Sequence, residues 1–376
     1  MHDFFATHKK EMLELLCELI SKPTVNPPGN ERLAANVLVN FFEKSGIEYE
    51  VFEKAKGRSN VIAHVGKGIA KLLIPCHLDV VPAGDGWLSE PFKPVIKDGK
   101  VYGRGASDNK GQVTACAILA SYLKSKKLKK RILFAFVADE ERGSNYGMRY
   151  LLDEGLINAR YAIVPDVGGR MREIDIAEKG LLFLRLVSYG KQAHGSRPEK
   201  GINAIWNLIE LLEAIKSHRF AGKKHDLLKD MSMNLGIIRG GNGVNTVPAK
   251  AEAEIDIRYL PGQNVLEEIK DIASKFMKNK RYRFGLEVMD NQRPIEISRK
   301  SKIIEVIRKC TKAIVGFEPR LVGKSGTTLV KPLAEHGIEA VGFGPGTKTA
   351  HKANEYIIIE DLLNFSRILA KVTLAI

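Results

Sequence analysis

The chain has 376 residues, 44% hydrophobic and 27% charged, which is too long for one small core and points to two domains. No apolar run approaches the roughly 20 residues of a membrane span, and the opening "MHDFFATHKKEMLELLCELI" spaces its apolar residues as an amphipathic helix rather than a signal peptide. The net charge of +15 sits in runs such as "KSKKLKKR" (124–131) and "KNKRYR" (278–283) without a nucleic-acid recognition motif, so a solvated surface is expected; nucleic acid and membrane are not expected partners, and an acidic partner is left open.

From 60 to 166 buried strands alternate with helices. "KLLIPCHL", "RILFAFVA" and "YAIVPD" are continuous apolar runs, and "GQVTACAILASYLKS" between the first two is helical. Strands apolar on both faces and separated by helices predict an α/β sheet covered on both sides. Its polar residues fall where sites form in such sheets, at the carboxyl ends of strands. His77 and Asp79 follow the first strand, Asp139, Glu140 and Glu141 the second, and Asp166 the third.

From about 180 the pattern changes. "LLFLRLVSYG" reads as a strand, "GINAIWNLIELLEAI" as a helix, and "MSMNLGIIRGG" and "AKAEAEIDIRYL" as strands. The last alternates, with Ala251, Ala253, Ile255, Ile257 and Tyr259 on one face and Glu252, Glu254, Asp256 and Arg258 on the other. That is a sheet with one wet face. A helix bearing Val265, Ile269, Ile272 and Phe276 follows, then a strand near "GLEVM". The order is the ferredoxin-like βαββαβ unit. It is expected as an inserted domain over 180–290, with 1–179 and 291–376 forming the other, discontinuous domain. The first domain closes with "EAVGFGPG" as a strand and a helix from about 360. Cys17, Cys76, Cys116 and Cys310 form no CxxC pair and read as reduced thiols of a cytoplasmic protein.

His77 and Asp79 are two apart on a strand and can share a face, and a carboxylate beside a histidine fixes its tautomer. Asp108 in "GRGASDNKG" stands just ahead of a helix, and taken alone is a helix cap. Asp166 before glycines is a turn residue. His351 in "GTKTAHKANE" is a loop histidine.

In this order, however, His77-x-Asp79, Asp108, Glu140-Glu141, Asp166 and His351 resemble the dinuclear zinc metallohydrolases. That family includes succinyl-diaminopimelate desuccinylases, acetylornithine deacetylases, aminoacylases, glutamate carboxypeptidases and carnosinase-like dipeptidases. "VVPAGDGW", "PFKPVIKDGKVYGRG", "AHGSRP", "NTVPAKAEAEIDIR" and "AVGFGPG…AHKANE" extend the resemblance along nearly the whole chain. It implies a zinc-exopeptidase-like catalytic domain, a mixed sheet with helices on both faces, and an inserted lid or dimerisation domain.

The resemblance also implies two zinc ions, with cobalt or manganese as alternatives. His77 and Asp166 would hold one, Glu141 and His351 the other, and Asp108 would bridge them. Asp79 would orient His77, and Glu140 would be the general base. His194 in "KQAHGSRP" would stabilise the oxyanion in the site of a partner subunit of a homodimer. Asn245 and Arg258 match positions that bind a substrate carboxylate.

The implied reaction is amide hydrolysis of a dipeptide or N-acyl amino acid with a free carboxylate. Asp166, where desuccinylases and deacetylases usually carry glutamate, and "SDNKGQ" lean toward the dipeptidases. The short inserted domain leans toward the biosynthetic desuccinylases or deacetylases, which stay open. The arginines with which desuccinylases read a carboxylate are missing from "EKGLLFLR", leaving Arg185. A non-catalytic binding protein on the same scaffold is the alternative of another class.

Overall fold

The structure, a computed structural model, describes residues 3–376; Met1 and His2 of the expected N-terminal helix lie outside them. The rest of that helix forms in two pieces, Phe4–Thr7 and Lys9–Ile20. The chain divides into two compact units. One comprises the chain up to Ile176 with Ile297–Val322 and Thr328–Ile376, and the other Ala177–Glu296 with Gly323–Thr327. The expectation drew its boundaries at 179/180 and 290/291. The short return segment joins the second unit because the Lys179 N–H donates to the Lys324 carbonyl at 3.1 Å and Gly323 lies against Leu227 and Leu228.

The main sheet of the first unit includes seven strands that frame the site: β1 (Glu48–Glu53), β2 (Ser59–Val65), β3 (Ala70–His77), β4 (Arg131–Val137), β5 (Tyr161–Val164), β6 (Glu173–Glu178) and β7 (Glu339–Gly342). Their order in the sheet is β1-β2-β4-β3-β5-β7-β6. The middle four, β4, β3, β5 and β7, are parallel, while β1, β2 and β6 pair antiparallel. The parallel strands are buried along almost their whole length, as their unbroken apolar runs require. "EAVGFGPG" is strand only through Gly342, and the rest leads to His351.

The helix Lys110–Lys124 is buried along nearly all of its length, packed on β3 and beneath the helices Lys9–Ile20 and Ile359–Ala375. A helix covered on all sides needs no polar stripe. Small residues allow the close packing: a β-carbon at Gly111 would stand 2.5 Å from the Ala106 carbonyl oxygen. On β1 and β2 lies the helix Arg32–Ser45, whose Phe42 ring centre is 5.7 Å from that of Phe136.

The second unit has a four-stranded antiparallel sheet ordered Ser232–Gly240, Lys250–Tyr259, Gly180–Tyr189, Phe284–Gln292. The helices Ala204–Ser217 and Val265–Met277 complete the βαββαβ order. Lys250–Tyr259 alternates as read, and Ala251, Ala253, Ile255 and Ile257 join the core under the helices. The opposite face carries Arg185 paired with Glu254 and Glu287, and Arg258 paired with Asp256. The edge strand Ser232–Gly240 leaves Leu235, Ile237 and Ile238 exposed.

Candidate metal centre

Three parallel strands deliver acidic or imidazole groups at their carboxyl ends. His77 is the last residue of β3, Asp139 to Glu141 follow β4, and Asp166 follows β5. Asp108 arrives from the loop before the helix Lys110–Lys124, and His351 from the loop after β7. Asp108 does not cap that helix; Asn109 holds the cap position without a side-chain bond.

The loop carrying Asp108 is fixed by a residue that sequence reasoning passed over. The fully buried Glu355 carboxylate accepts the N–H groups of Gly105, Ser107 and Asp108 at 3.1, 2.8 and 2.9 Å, and Arg104 pairs with it at 2.6 Å. Its signal was present, since it closes "AHKANE".

The Asp108 carboxylate divides between two histidines. Oδ1 lies 2.8 Å from His77 Nε2, and Oδ2 lies 3.1 Å from His351 Nε2. His351 Nε2 also lies 3.2 Å from Glu141 Oε1. Ligand atoms within 4.8 Å of one another define three groups: His77 with Asp108 and Asp166; Asp108 with Glu141 and His351; and His77 with Glu140 and Glu141. The first two share only Asp108.

His77 Nδ1 meets Asp79 twice, at 2.9 Å from its backbone carbonyl and 3.5 Å from carboxylate Oδ1. The closer contact is the carbonyl. The carboxylate is largely committed elsewhere: it accepts Asn26 Nδ2 at 2.8 Å and the backbone N–H groups of Glu140 and Glu141, each at 3.1 Å. Asp79 thus holds the turn that presents both glutamates. Asp139 begins that turn in the left-handed region at φ 64°, and its Oδ1 accepts Arg58 at 3.0 Å and Asn26 at 3.1 Å. Arg58 is itself clamped by the buried Glu31. Asn26, Glu31 and Arg58 carried no recognisable signal in the sequence.

Electrostatics reflect the crowding. Burial pushes the Glu140 carboxyl far up, and the Asp166, Glu141 and Asp79 carboxylates push it further against the pull of His77. Burial raises Asp79 as well, but the His77 imidazole and the donors from Asn26 and Glu141 outweigh it and hold Asp79 below the usual carboxylate range. Asp108 is also raised by burial and, on balance, lowered by His351 and His77. Hydrogen bonds to Asp108 and Glu141 raise the His351 imidazole to about 10.

The donor set fits divalent cations. Four carboxylates and two imidazoles converge, and among the described residues the buried Glu141 Oε1 has only the His351 imidazole, at 3.2 Å, as a polar neighbour within reach. Imidazole with carboxylate suits zinc, and also cobalt or manganese.

His194, Asn245 and Arg258 belong to the second unit. His194 is exposed on the short strand Ala193–His194, paired with Thr246–Val247, and the Gly195 N–H donates to the Asn245 carbonyl at 2.7 Å. His194 and Asn245 are therefore neighbours. Arg258 stands near the other end of Lys250–Tyr259, with Nε 2.7 Å from Asp256. Arg185, the remaining arginine near the junction, is occupied by Glu254 and Glu287.

Among the described residues no helix is long and apolar enough to cross a membrane. An uncharacterized metallohydrolase of Methanocaldococcus jannaschii is 32% identical, covering 96% of this chain and 98% of its own length. A probable succinyl-diaminopimelate desuccinylase of Staphylococcus aureus is 28% identical over 93% of each chain. Among solved structures, an M20 family metallo-carboxypeptidase from Sulfolobus solfataricus shares the fold at a TM-score of 0.77 and 23% identity, covering 96% of this chain and 98% of that one. Residues 73–375 match the profile of peptidase family M20/M25/M40, and with a full-length metallohydrolase relative above 30% identity, the chain belongs to that family of enzymes.

Proposed function

We propose that the protein hydrolyses the amide bond of a dipeptide or N-acyl amino acid with a free carboxylate, at a centre of two divalent cations. The observation that carries this reading is the single carboxylate of Asp108 shared by two donor groups. His77 and Asp166 complete one group, Glu141 and His351 the other. Zinc is the first choice, with cobalt or manganese next. Cations held there supply Lewis acidity, which acidifies water and polarises an amide carbonyl.

Glu140 is the base. Its backbone N–H is anchored on Asp79, and among the described residues no donor is hydrogen-bonded to its carboxylate. It takes the proton of the attacking water and returns it to the leaving amine. Metal removal tests the reading. Chelation should abolish hydrolysis of a panel of dipeptides, acetyl-ornithine and succinyl-diaminopimelate, and zinc, cobalt or manganese should restore it. Full activity in metal-free protein would end the assignment.

Identity to a probable succinyl-diaminopimelate desuccinylase favours a second reading, removal of an acyl group in amino-acid biosynthesis. The same panel separates them through the ratio of kcat/KM values. A higher value for succinyl-diaminopimelate than for any dipeptide selects the second.

His194 acts on the oxyanion. The Ser196 N–H donates to His194 Nδ1 at 3.1 Å, so the neutral ring carries its proton on Nε2, a donor facing solvent. Asn245 beside it and Arg258 are separated by the strand between Lys250 and Arg258, about 26 Å long at strand rise. One copy cannot close both on a single carboxylate, which supports a homodimer with shared sites. The exposed apolar edge strand and Trp206, 63% exposed on the neighbouring helix, supply a face for it.

Co-expression of differently tagged His194→Ala and Glu140→Ala chains tests the sharing. Each parent should be nearly inactive. The doubly tagged dimer should show about half of wild-type activity, because one of its two sites has both groups. A metal-loaded mixed dimer no better than its parents would rule the sharing out.

A further inference from the structure

A cavity of about 630 Å³ opens in the first unit between the loop that continues from Asp166 and the loop that leads to His351. None of the five candidate metal ligands lines it. Its volume suits a small metabolite.

The lining is cationic. Arg170, Arg172, Arg320 and Lys348 face it with only Glu173 and Glu318 as acids. Both acids are already neutralised, Glu173 by Arg320 and Glu318 by Arg308 and Lys312 of the helix Lys302–Val315. Arg170 pairs with Asp361. Arg172 and Lys348 remain: among the described residues neither has a carboxylate at ion-pair distance. The Arg172 guanidinium lies 4.2 Å from the centre of the Phe317 ring. A guanidinium stacked on a ring is pre-organised, with its N–H edge left to fork onto an oxyanion.

The backbone of this wall is also unusual. Arg170 and Met171 both adopt left-handed conformations, φ 54° and 64°, held by N–H bonds to the Gly346 and Gly344 carbonyls at 3.1 and 2.9 Å. Two successive non-glycine residues in that region are costly, and such costs concentrate at functional sites. Thr347, next in the chain after Gly346, also lines the cavity, and its N–H donates to Ser107 Oγ at 2.8 Å. Ser107 directly precedes Asp108. The cavity wall is therefore continuous with the loops that carry Asp108, Asp166 and His351.

We propose that this cavity is a second, non-catalytic site for a small anionic metabolite bearing a phosphate or carboxylate group, and that its occupancy tunes the metal centre through the Thr347–Ser107 contact. The cavity and its charges stand whether or not the protein hydrolyses an amide.

Titration calorimetry on the metal-loaded protein at fixed ionic strength, with inorganic phosphate in one arm and succinate in the other, tests the site. One probe should bind at one per chain, with Kd below about 1 mM. Arg172→Ala and Lys348→Ala should each weaken it about tenfold or more while metal content is unchanged. Binding of phosphate alone names a phosphate-bearing ligand, and of succinate alone a carboxylate. In parallel, the bound probe should shift the apparent cobalt affinity at least about twofold in wild type and not in Arg172→Ala. No binding of either probe, or binding unaltered in both variants, overturns the site. An unchanged cobalt affinity overturns the coupling.

Discussion

Glu140→Ala should keep both metals and a normal melting temperature while losing about 10²–10⁴-fold or more in kcat. The two groups that share Asp108 do not include Glu140, so its removal subtracts no ligand from either. Its structural contact is a backbone N–H donated to Asp79, which alanine retains. What disappears is a carboxyl poised beside the cluster. Burial and three neighbouring carboxylates push its pKa up against the pull of His77. Glu141→Ala should fail differently. Glu141 belongs to the group with Asp108 and His351, and its buried Oε1 faces the His351 imidazole at 3.2 Å. Its loss should lower metal content first, with activity partly recovered at excess metal. Metal analysis and kcat measured at saturating zinc distinguish the two. If Glu140→Ala loses metal and Glu141→Ala keeps it, the roles are reversed.

The contrast between these adjacent glutamates shows what a sequence can and cannot disclose. An apolar strand followed at once by acids was legible, because burial of the strand forces its polar successors to the sheet rim. The alternation of Lys250–Tyr259 disclosed the half-wet sheet of the second unit in the same way. Both signals are local. The supports of the centre are not. Glu355 binds the Asp108 loop from 247 residues away, and Asn26 reaches Asp79 across 53. Nothing in "TVNPPGNE" distinguishes a turn asparagine from one that joins two buried carboxylates. Asp79 carries more than its place after the strand discloses, for a related reason. The i, i+2 rule places His77 and Asp79 on one side only while the chain stays a strand, and β3 ends at His77. Past that point the Asp79 carbonyl lies nearer the imidazole, at 2.9 Å, than its carboxylate does, at 3.5 Å, and the carboxylate also holds the N–H groups of both glutamates.

Asp79→Ala should therefore do more damage than the loss of one orienting contact. Three donors would lose their acceptor: Asn26 Nδ2 and the backbone N–H groups of Glu140 and Glu141. Asp79 is fully buried, and an unsatisfied buried donor costs about 1–3 kcal/mol. Water entering the gap recovers part of that, so a loss of about 3 kcal/mol in the first unit is expected, read as a clear fall in melting temperature. The His77 Nδ1 contact at 2.9 Å is to the main chain and survives any substitution at 79. The cation between Glu141 and His351 should consequently be lost before the one between His77 and Asp166, with its affinity down about 10–100-fold. Asp79→Asn keeps one acceptor oxygen and the side-chain volume, so it should retain more of that second cation than alanine does. Metal stoichiometry across a chelator titration reads the order of loss directly. If the His77 cation leaves first, the carboxylate of Asp79 serves the histidine after all. If both cations stay and the melting temperature is unmoved, the turn at Glu140 and Glu141 is held by something other than Asp79.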